Sequence, residues 1–196
     1  MILPRDFYAR PTAEVARALL GKVIAYGGSA GRIVETEAYL GVDDRGRVDL
    51  AAHSAAGVTA RTRVLFGPPG HAYVYLSYGI HECLNIVAEP EGVPGCVLIR
   101  ALDPVLGLEQ MRARRPTAKT DTELASGPGK LTRALGITRR EYGADLTCGA
   151  LTVREDAGGG TGEIVTATRI GVSVCADWPL RFYIRDNPCV SKRRLS

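Results

Sequence analysis

The stretch RIVETEAYLG, residues 32–41, has the residue alternation of a β-strand. Successive side chains of a strand point to opposite faces of the sheet, so every second residue shares a face. One face would carry Ile33, Glu35, Glu37 and Tyr39, and the other Val34, Thr36, Ala38 and Leu40. Two carboxylates and a tyrosine are unusual groups to bury on an otherwise apolar strand. This polar face is therefore the first candidate for a functional site.

Further strands are predicted on both sides of this stretch. Short runs of β-branched and apolar residues, separated by Gly, Asp and Pro, are typical of strands. They occur at 22–26 (KVIAY), at 95–102 (GCVLIRAL) and repeatedly within 150–190. The polar segment 43–64 is predicted to be a loop, and a loop of this length in a compact domain is usually functional or mobile.

The segment HAYVYLSYGIHECLNIVAE, residues 71–89, predicts a β-hairpin. Its two strands would span 72–77 and 82–88, and a turn at Tyr78 and Gly79 would join them. A large aromatic residue at the tip of such a hairpin is expected to be exposed.

Three helices are predicted from the residues at their ends. Thr12 is placed to cap the first helix. Asp103 and Pro104, at a cap position and the first helical position, predict the start of the second. Pro128 and Gly136 mark the start and the end of the third.

These elements together predict an α+β fold. A regular alternation of strands and helices is missing, which argues against a doubly wound parallel sheet. We therefore predict a single compact mixed domain over residues 1–196, with a strand-rich, mainly antiparallel core, a few short helices and a protruding β-hairpin.

The composition is that of a folded protein outside the membrane. Hydrophobic residues make up 45% of the 196-residue chain, enough for a sizeable core. No apolar run approaches the roughly 20 residues of a membrane helix. The first residues contain an early proline and charges, unlike a signal peptide. We expect an intracellular monomer, in the cytoplasm or on the nucleoid.

The cysteines predict neither a disulfide framework nor a metal site. Their number is odd, their spacings are wide and no CxxC pair occurs. We therefore expect reduced thiols at Cys83, Cys96, Cys148, Cys175 and Cys189.

The net charge of +4 is compatible with a polyanionic partner. Basic residues are clustered, and each cluster taken alone favours a solvated surface over a phosphate contact. The clusters are Arg61 with Arg63, Arg112 with Arg114 and Arg115, and 192–194.

Glu37 is the main candidate for acid–base chemistry. A carboxylate beside the aromatic ring of Tyr39 can serve as a general base if it stays ionised and near a water. The alternative is a structural pair with a buried arginine, which is our interpretation of Glu35. Arg100 follows four apolar residues and must either reach solvent or meet a carboxylate, for which Glu37 is a candidate.

The hairpin supplies the other candidates. Tyr73 and Tyr75 share a face, which strand propensity alone can explain. Exposed tip aromatics such as Tyr78 are candidates for insertion into a base stack. Asn85 lies in an apolar strand, where it must bond the backbone or recognise the edge of a ligand.

Two other classes of site do not fit the sequence. The HEC triplet at 81–83 lacks the HxE spacing and the second cysteine pair of a zinc deaminase. The SGPGK run at 126–130 fails the spacing of a phosphate-binding loop. No metal and no cofactor are predicted. A histidine in a long loop, such as His53, is usually only a surface residue.

Ordered blocks over nearly the whole chain resemble the alkyladenine (3-methyladenine) DNA glycosylases, purine DNA glycosylases of the mammalian alkyladenine glycosylase type. The blocks are DFYARPTAEVARALLGK, RIVETEAYLG, AAHS, FGPPGHAYVYLSYGIHECLNI, GCVLIRALDP, SGPGKLTRALGI, RIGV and PLRFYIRDNPCVS. The resemblance implies a monofunctional enzyme of base excision repair. It would flip damaged purines from duplex DNA and hydrolyse the N-glycosidic bond, without a metal or a covalent lysine intermediate.

The resemblance also implies roles for the residues nearest the chemistry. Glu37 matches the general base, and Arg100 matches the arginine that helps to hold the attacking water. Tyr78 matches the tyrosine that is wedged into the minor groove to fill the vacated stack.

Four further residues match those that contact the flipped base. Tyr39, His53 and Tyr75 would sandwich it, and Asn85 would line the pocket floor opposite the exocyclic amine of guanine. A purine alkylated on a ring nitrogen is cationic, so aromatic faces would bind it with about 1–2 kcal/mol of cation–π energy. The implied lesions are 3-methyladenine, 7-methylguanine, hypoxanthine and ethenoadenine.

Two alternatives come from other classes. A catalytically inactive protein that only binds DNA lesions would not need both Glu37 and Arg100. A metal-dependent nucleobase deaminase would contain stoichiometric zinc.

Overall fold

The computed structural model describes residues 1–156, 158 and 162–191. Eight strands lie in these ranges. They are β1 (Val23–Tyr26), β2 (Ser29–Leu40), β3 (Ala72–Ser77), β4 (His81–Val87), β5 (Gly95–Leu106), β6 (Thr152–Arg154), β7 (Ile164–Ala167) and β8 (Arg181–Ile184).

All eight strands belong to one antiparallel sheet, with the order β3-β4-β5-β2-β1-β6. β2 pairs with β5 along one edge and divides its other edge between β1 and β8. β7 pairs with β8 beside this path. The strand that carries the two carboxylates therefore lies at the centre of the fold, with partners on both edges.

The helices are few and short. The α-helices are α1 (Arg5–Tyr8), α2 (Thr12–Ala18), α3 (Leu108–Arg114), α4 (Asp121–Leu124) and α5 (Pro128–Leu135), and 3₁₀ turns span His53–Ala56, Arg63–Phe66 and Arg139–Glu141. The predicted α+β class, the strand-rich antiparallel core and the single compact mixed domain are confirmed.

The two faces of β2 meet different surroundings. The hydroxyl of Thr36 donates to the carbonyl of Ala16 in α2 at 2.9 Å, so this face packs on the main hydrophobic core. Tyr39 packs instead against a second, smaller apolar cluster that includes Tyr73 and Cys96. The pairing of β2 with β5 shifts register on both sides of Glu35. Ile33, which strict alternation would place on the same face as Glu37 and Tyr39, belongs instead to the main core.

The predicted helix start at Asp103 and Pro104 is wrong. β5 continues to Leu106, and these two residues pair with Arg32 and Gly31 of β2. Oδ2 of Asp103 forms an ion pair with Nη1 of Arg32 at 3.2 Å. The long partner strand thus overrides a local capping signal, and α3 begins only at Leu108.

The other predicted helix ends are partly confirmed. α2 begins at Thr12, as predicted. The hydroxyl of Thr12 donates to Oε1 of Glu89 at 2.8 Å, however, and does not cap the helix. Pro128 is the first residue of α5, and Gly136 ends it in the left-handed conformation with φ of 80°. Within the described ranges, no helix has the length and hydropathy needed to cross a membrane.

Candidate active site

The polar face of β2 opens onto a cavity of about 460 Å³. Its walls come from β2, β4 and β5, the β3–β4 hairpin, and the loops around residues 51–61 and 170–172. Six of the seven residues predicted for the site line it: Tyr39, His53, Tyr75, Tyr78, Asn85 and Arg100.

The seventh, Glu37, lies directly behind the cavity wall and has no exposed surface. Its Oε2 accepts a hydrogen bond from the Tyr39 hydroxyl at 2.9 Å and lies 3.2 Å from Nη1 of Arg100. Its Oε1 accepts from the backbone N–H of Ile170 at 2.7 Å. All three partner residues line the cavity. A carboxylate offers about four acceptor positions, so one remains on Oε1.

Arg100 contacts both carboxylates of β2. Its Nε lies 3.2 Å from Oε1 of Glu35, and the same oxygen pairs with Arg181 at 2.6 Å. The other oxygen of Glu35, Oε2, accepts the N–H of Ser191 at 2.8 Å. The predicted structural ion pair of Glu35 is thereby confirmed, as is the pairing of Arg100 with Glu37. Burial would lower the pKa of Arg100, but the charges of Glu37 and Glu35 raise it overall.

Tyr39 is held between the cavity and a buried arginine. The guanidinium of Arg169 lies 4.7 Å from the centre of its ring. Arg169 is itself paired with Asp49 at 2.6 Å, and neither side chain has exposed surface. Asp49 also accepts the N–H of Leu40, which fastens the 42–50 loop to the end of β2. Burial and then the nearby Glu37 charge raise the pKa of Tyr39, so its hydroxyl acts as a donor.

His53 belongs to a hydrogen-bonded group with Tyr73 and Arg61. Its Nδ1 lies 3.0 Å from the Tyr73 hydroxyl, and its Nε2 lies 3.1 Å from Nη2 of Arg61. Arginine can only donate, so Nε2 is the acceptor and the proton of the neutral ring is on Nδ1. Burial and the Arg61 charge lower the pKa of His53 from 6.5 to about 4.

His53 and Tyr75 together form one aromatic wall of the cavity that Tyr39 also lines. Their ring centres lie 4.7 Å apart and their planes are perpendicular at 90°. The expectation that a loop histidine is only a surface residue is therefore wrong for His53. The ring lies edge to face with Tyr75 and lines the cavity.

The hairpin tip presents Tyr78 to solvent, as expected, with 91% of its surface exposed. Tyr78 and Gly79 both have positive φ, of 50° and 72°. The N–H of Ile80 donates to the carbonyl of Ser77 at 3.1 Å and closes the turn. The left-handed conformation costs a residue other than glycine roughly 1–2 kcal/mol, so this turn holds a tyrosine outward at an energetic cost.

Asn85 bonds the backbone, which is one of the two alternatives for its position, and its recognition of a ligand stays a prediction. Its Nδ2 donates to the backbone carbonyl of Tyr73 at 3.1 Å, and its Oδ1 lies 3.9 Å from Sγ of Cys96. The side chain also lines the cavity, so its orientation there is fixed by the backbone of the neighbouring strand.

A basic groove lies beside the hairpin. It is formed by residues of α3, α5 and the start of β4, including Arg114, Arg115, Lys130 and Arg133. The terminal basic cluster at 192–194 lies outside the described residues. Within the described part of the chain, no group of three or more His, Cys, Asp or Glu side chains could hold a metal ion. The five cysteines are free.

Several residues of the site carried no recognised signal in the sequence. Arg169 and Ile170 belong to the RIGV block, which marked the segment but not its contacts. In the sequence, Arg61 is only one member of a basic cluster, and Asp49 is only one residue of a long polar loop.

Comparison with known proteins gives consistent results. The model of the methylpurine-DNA glycosylase family matches residues 6–188. A protein of Methanocella arvoryzae is 51% identical over 98% of this chain and 96% of its own length. Proteins of Koribacter versatilis and Rhodopseudomonas palustris are each 48% identical, over 98% and 97% of this chain and 94% and 88% of their own lengths. All three are named as 3-methyladenine DNA glycosylases.

Proposed function

Because this chain belongs to the methylpurine-DNA glycosylase family, we propose that it flips alkylated and deaminated purines out of duplex DNA into the cavity beside β2. It is an enzyme of the 3-methyladenine DNA glycosylase type, a hydrolase that acts on an N-glycosyl bond. The observation that carries the proposal is the buried carboxylate of Glu37, held by Arg100 and Tyr39 at the back of an aromatic cavity.

The flipped base would lie between the ring of Tyr39 and the wall made by His53 and Tyr75. Aromatic side chains stack on any purine, so this wall would recognise the flat shape of the flipped base more than its identity. Asn85 would meet the edge of the base at the cavity floor. Its amide, held by the carbonyl of Tyr73, would oppose the exocyclic amine of guanine. 7-Methylguanine carries the same amine, but its bond to the sugar is already weakened by the positive charge of the ring, which would offset this penalty.

The chemistry requires one water and one carboxylate. The water oxygen forms a bond to C1′ of the deoxyribose while the bond from C1′ to N9 breaks, and its electron pair leaves with the base. Glu37 would take a proton from this water through the free acceptor position on Oε1 and stabilise the positive charge that develops on the sugar. Arg100 would orient both the water and the carboxylate.

The hairpin would compensate for the extruded nucleotide. Tyr78 is aromatic, exposed and held outward by a strained turn, and strain of this kind persists where function requires it. Inserted into the duplex, its ring would replace about 1–3 kcal/mol of lost stacking. The basic groove beside the hairpin would contact the phosphates on the same side. One chain supplies every group needed, so we expect a monomer acting on DNA at the nucleoid.

The test is excision from duplex oligonucleotides that contain one hypoxanthine, one ethenoadenine or one 7-methylguanine. Abasic sites are cleaved with alkali, and undamaged adenine and guanine duplexes serve as controls. Excision of at least one lesion but of neither normal base supports the proposal. Binding to lesion duplexes without any excision would instead identify a catalytically inactive lesion-binding protein.

A further inference from the structure

Arg61 brings a positive charge to the cavity and forms no ion pair with a carboxylate in the described part of the chain. Three other arginines around the site are each paired, Arg100 with two glutamates, Arg169 with Asp49 and Arg181 with Glu35. Among the described residues, no carboxylate lies within ion-pair distance of Arg61. Its guanidinium donates instead to neutral groups, the Tyr73 hydroxyl and Nε2 of His53, both at 3.1 Å.

The guanidinium of Arg61 also occupies a face of the aromatic wall. It lies 4.9 Å from the centre of the Tyr75 ring, just as Arg169 lies against Tyr39. A ring that already holds a cation attracts a second one less strongly. Both tyrosines expected to bind a cationic purine are therefore already engaged by arginine, and the unbalanced charge of Arg61 repels such a base.

Neutral and cationic lesions differ in the charge that forms when the bond to the sugar breaks. A neutral purine leaves with the electron pair of the C1′–N9 bond and is an anion until it takes up a proton. A purine alkylated on a ring nitrogen is a cation while attached and leaves as a neutral molecule. In both cases water supplies the hydroxyl of the sugar. A fixed guanidinium stabilises the departing anion, whereas it opposes binding of the cation.

We propose that Arg61 is a specificity-determining residue that favours neutral lesions, such as hypoxanthine, over cationic N-alkylated purines. This inference rests on the proposed function of the cavity. Arg61 is exposed in the free protein, but DNA bound over the cavity mouth would exclude water and strengthen its charge effect.

The experiment compares Arg61→Gln, which removes the charge but keeps a donor, with Arg61→Lys, which keeps the charge. Arg63→Gln is the matched control, because Arg63 is two residues away and does not line the cavity. Single-turnover rate constants are measured on hypoxanthine and 7-methylguanine duplexes. Each ratio comes from one protein preparation, so the folded fraction cancels.

We expect Arg61→Gln to lower the ratio of hypoxanthine to 7-methylguanine excision about tenfold, the size of one partly screened charge interaction. Arg61→Lys and Arg63→Gln should keep the wild-type ratio. Equal losses on both lesions, or an unchanged ratio, would overturn the inference and leave Arg61 as a residue that positions His53 or contacts DNA. Absence of excision of every lesion by the wild type would instead contradict the proposed function itself.

Discussion

The Nη1 atom of Arg100 lies 3.2 Å from Oε2 of Glu37. Arg100 lines the cavity and holds the carboxylate of Glu37, which lies behind the cavity wall. The carboxylate is thus kept in place without being open to bulk solvent. The proposed function requires that the attacking water reach its remaining acceptor position from the cavity side.

The hydroxyl of Tyr39 is predicted to position Glu37. Tyr39→Phe keeps the ring that would stack on the base and removes only the 2.9 Å hydrogen bond to Oε2. We expect the single-turnover excision rate to fall roughly ten- to a hundredfold, the kinetic equivalent of one hydrogen bond to a charged group. Lesion-duplex affinity, measured by fluorescence anisotropy, should stay near the wild-type value. A wild-type rate would show that this bond does not help the carboxylate.

Tyr78 is predicted to trade stability for DNA binding. Tyr78→Gly and Tyr78→Ala both remove the aromatic ring, so both should weaken lesion binding and slow nucleotide flipping in stopped-flow fluorescence. The positive φ at this position favours glycine, so Tyr78→Gly should be about 1 kcal/mol more stable than Tyr78→Ala in urea. Unchanged flipping kinetics in both variants would remove Tyr78 from the proposed wedge role.

The Asp49–Arg169 pair is predicted to stabilise the fold and the Tyr39 wall together. Asp49→Ala leaves Arg169 buried without its partner, which should lower the free energy of unfolding by about 3–5 kcal/mol. Asp44→Ala is the matched control, since Asp44 is exposed in the same loop and should change stability by less than about 0.5 kcal/mol. Equal urea midpoints for the two variants would contradict this role.

His53 is predicted to make the fold acid-sensitive. The pKa of His53 is about 4 in the folded protein, below its ordinary value of 6.5, which applies to the unfolded chain. Between these values the unfolded chain binds a proton that the folded chain does not, so His53 destabilises the fold as the pH falls from about 6.5 towards 4. At pH 7.5 both states are neutral and this effect is absent.

The pH effect of His53 is isolated by comparison with His53→Gln. Urea unfolding of the two proteins at pH 7.5 and pH 5 should show a stability difference that shifts in favour of the variant at the lower pH. A difference that is independent of pH would mean that His53 is not held neutral by burial and Arg61.

The hairpin and the central strand could be predicted from the sequence because their signals are local. Alternation identified β2, and a pair of apolar strands around Tyr78 and Gly79 identified the turn. The helix start at Asp103 and Pro104 was also a local signal, yet it was wrong. Pairing with β2 across more than 70 residues outweighed it, and the ion pair with Arg32 gave the aspartate a better partner.

The polar contacts of the site could not be predicted in the same way, because they join distant segments. Arg169 meets Asp49 across 120 residues, and the N–H of Ile170 meets Glu37 across 133. The local sequence around either residue of such a pair does not indicate which distant residue it contacts. Arg61 looked like a member of a solvated basic cluster, and only the folded chain brings it to Tyr75 and His53.

The most direct measurement is single-turnover excision of hypoxanthine from duplex DNA by the wild type and by Glu37→Gln. The substitution keeps the size of the buried side chain and removes its ability to accept a proton from water. The proposed function predicts that alkali-sensitive abasic sites form with the wild type and fall below detection with Glu37→Gln, while the variant still binds the lesion duplex. Excision by Glu37→Gln at the wild-type rate would contradict the role of Glu37 as the general base.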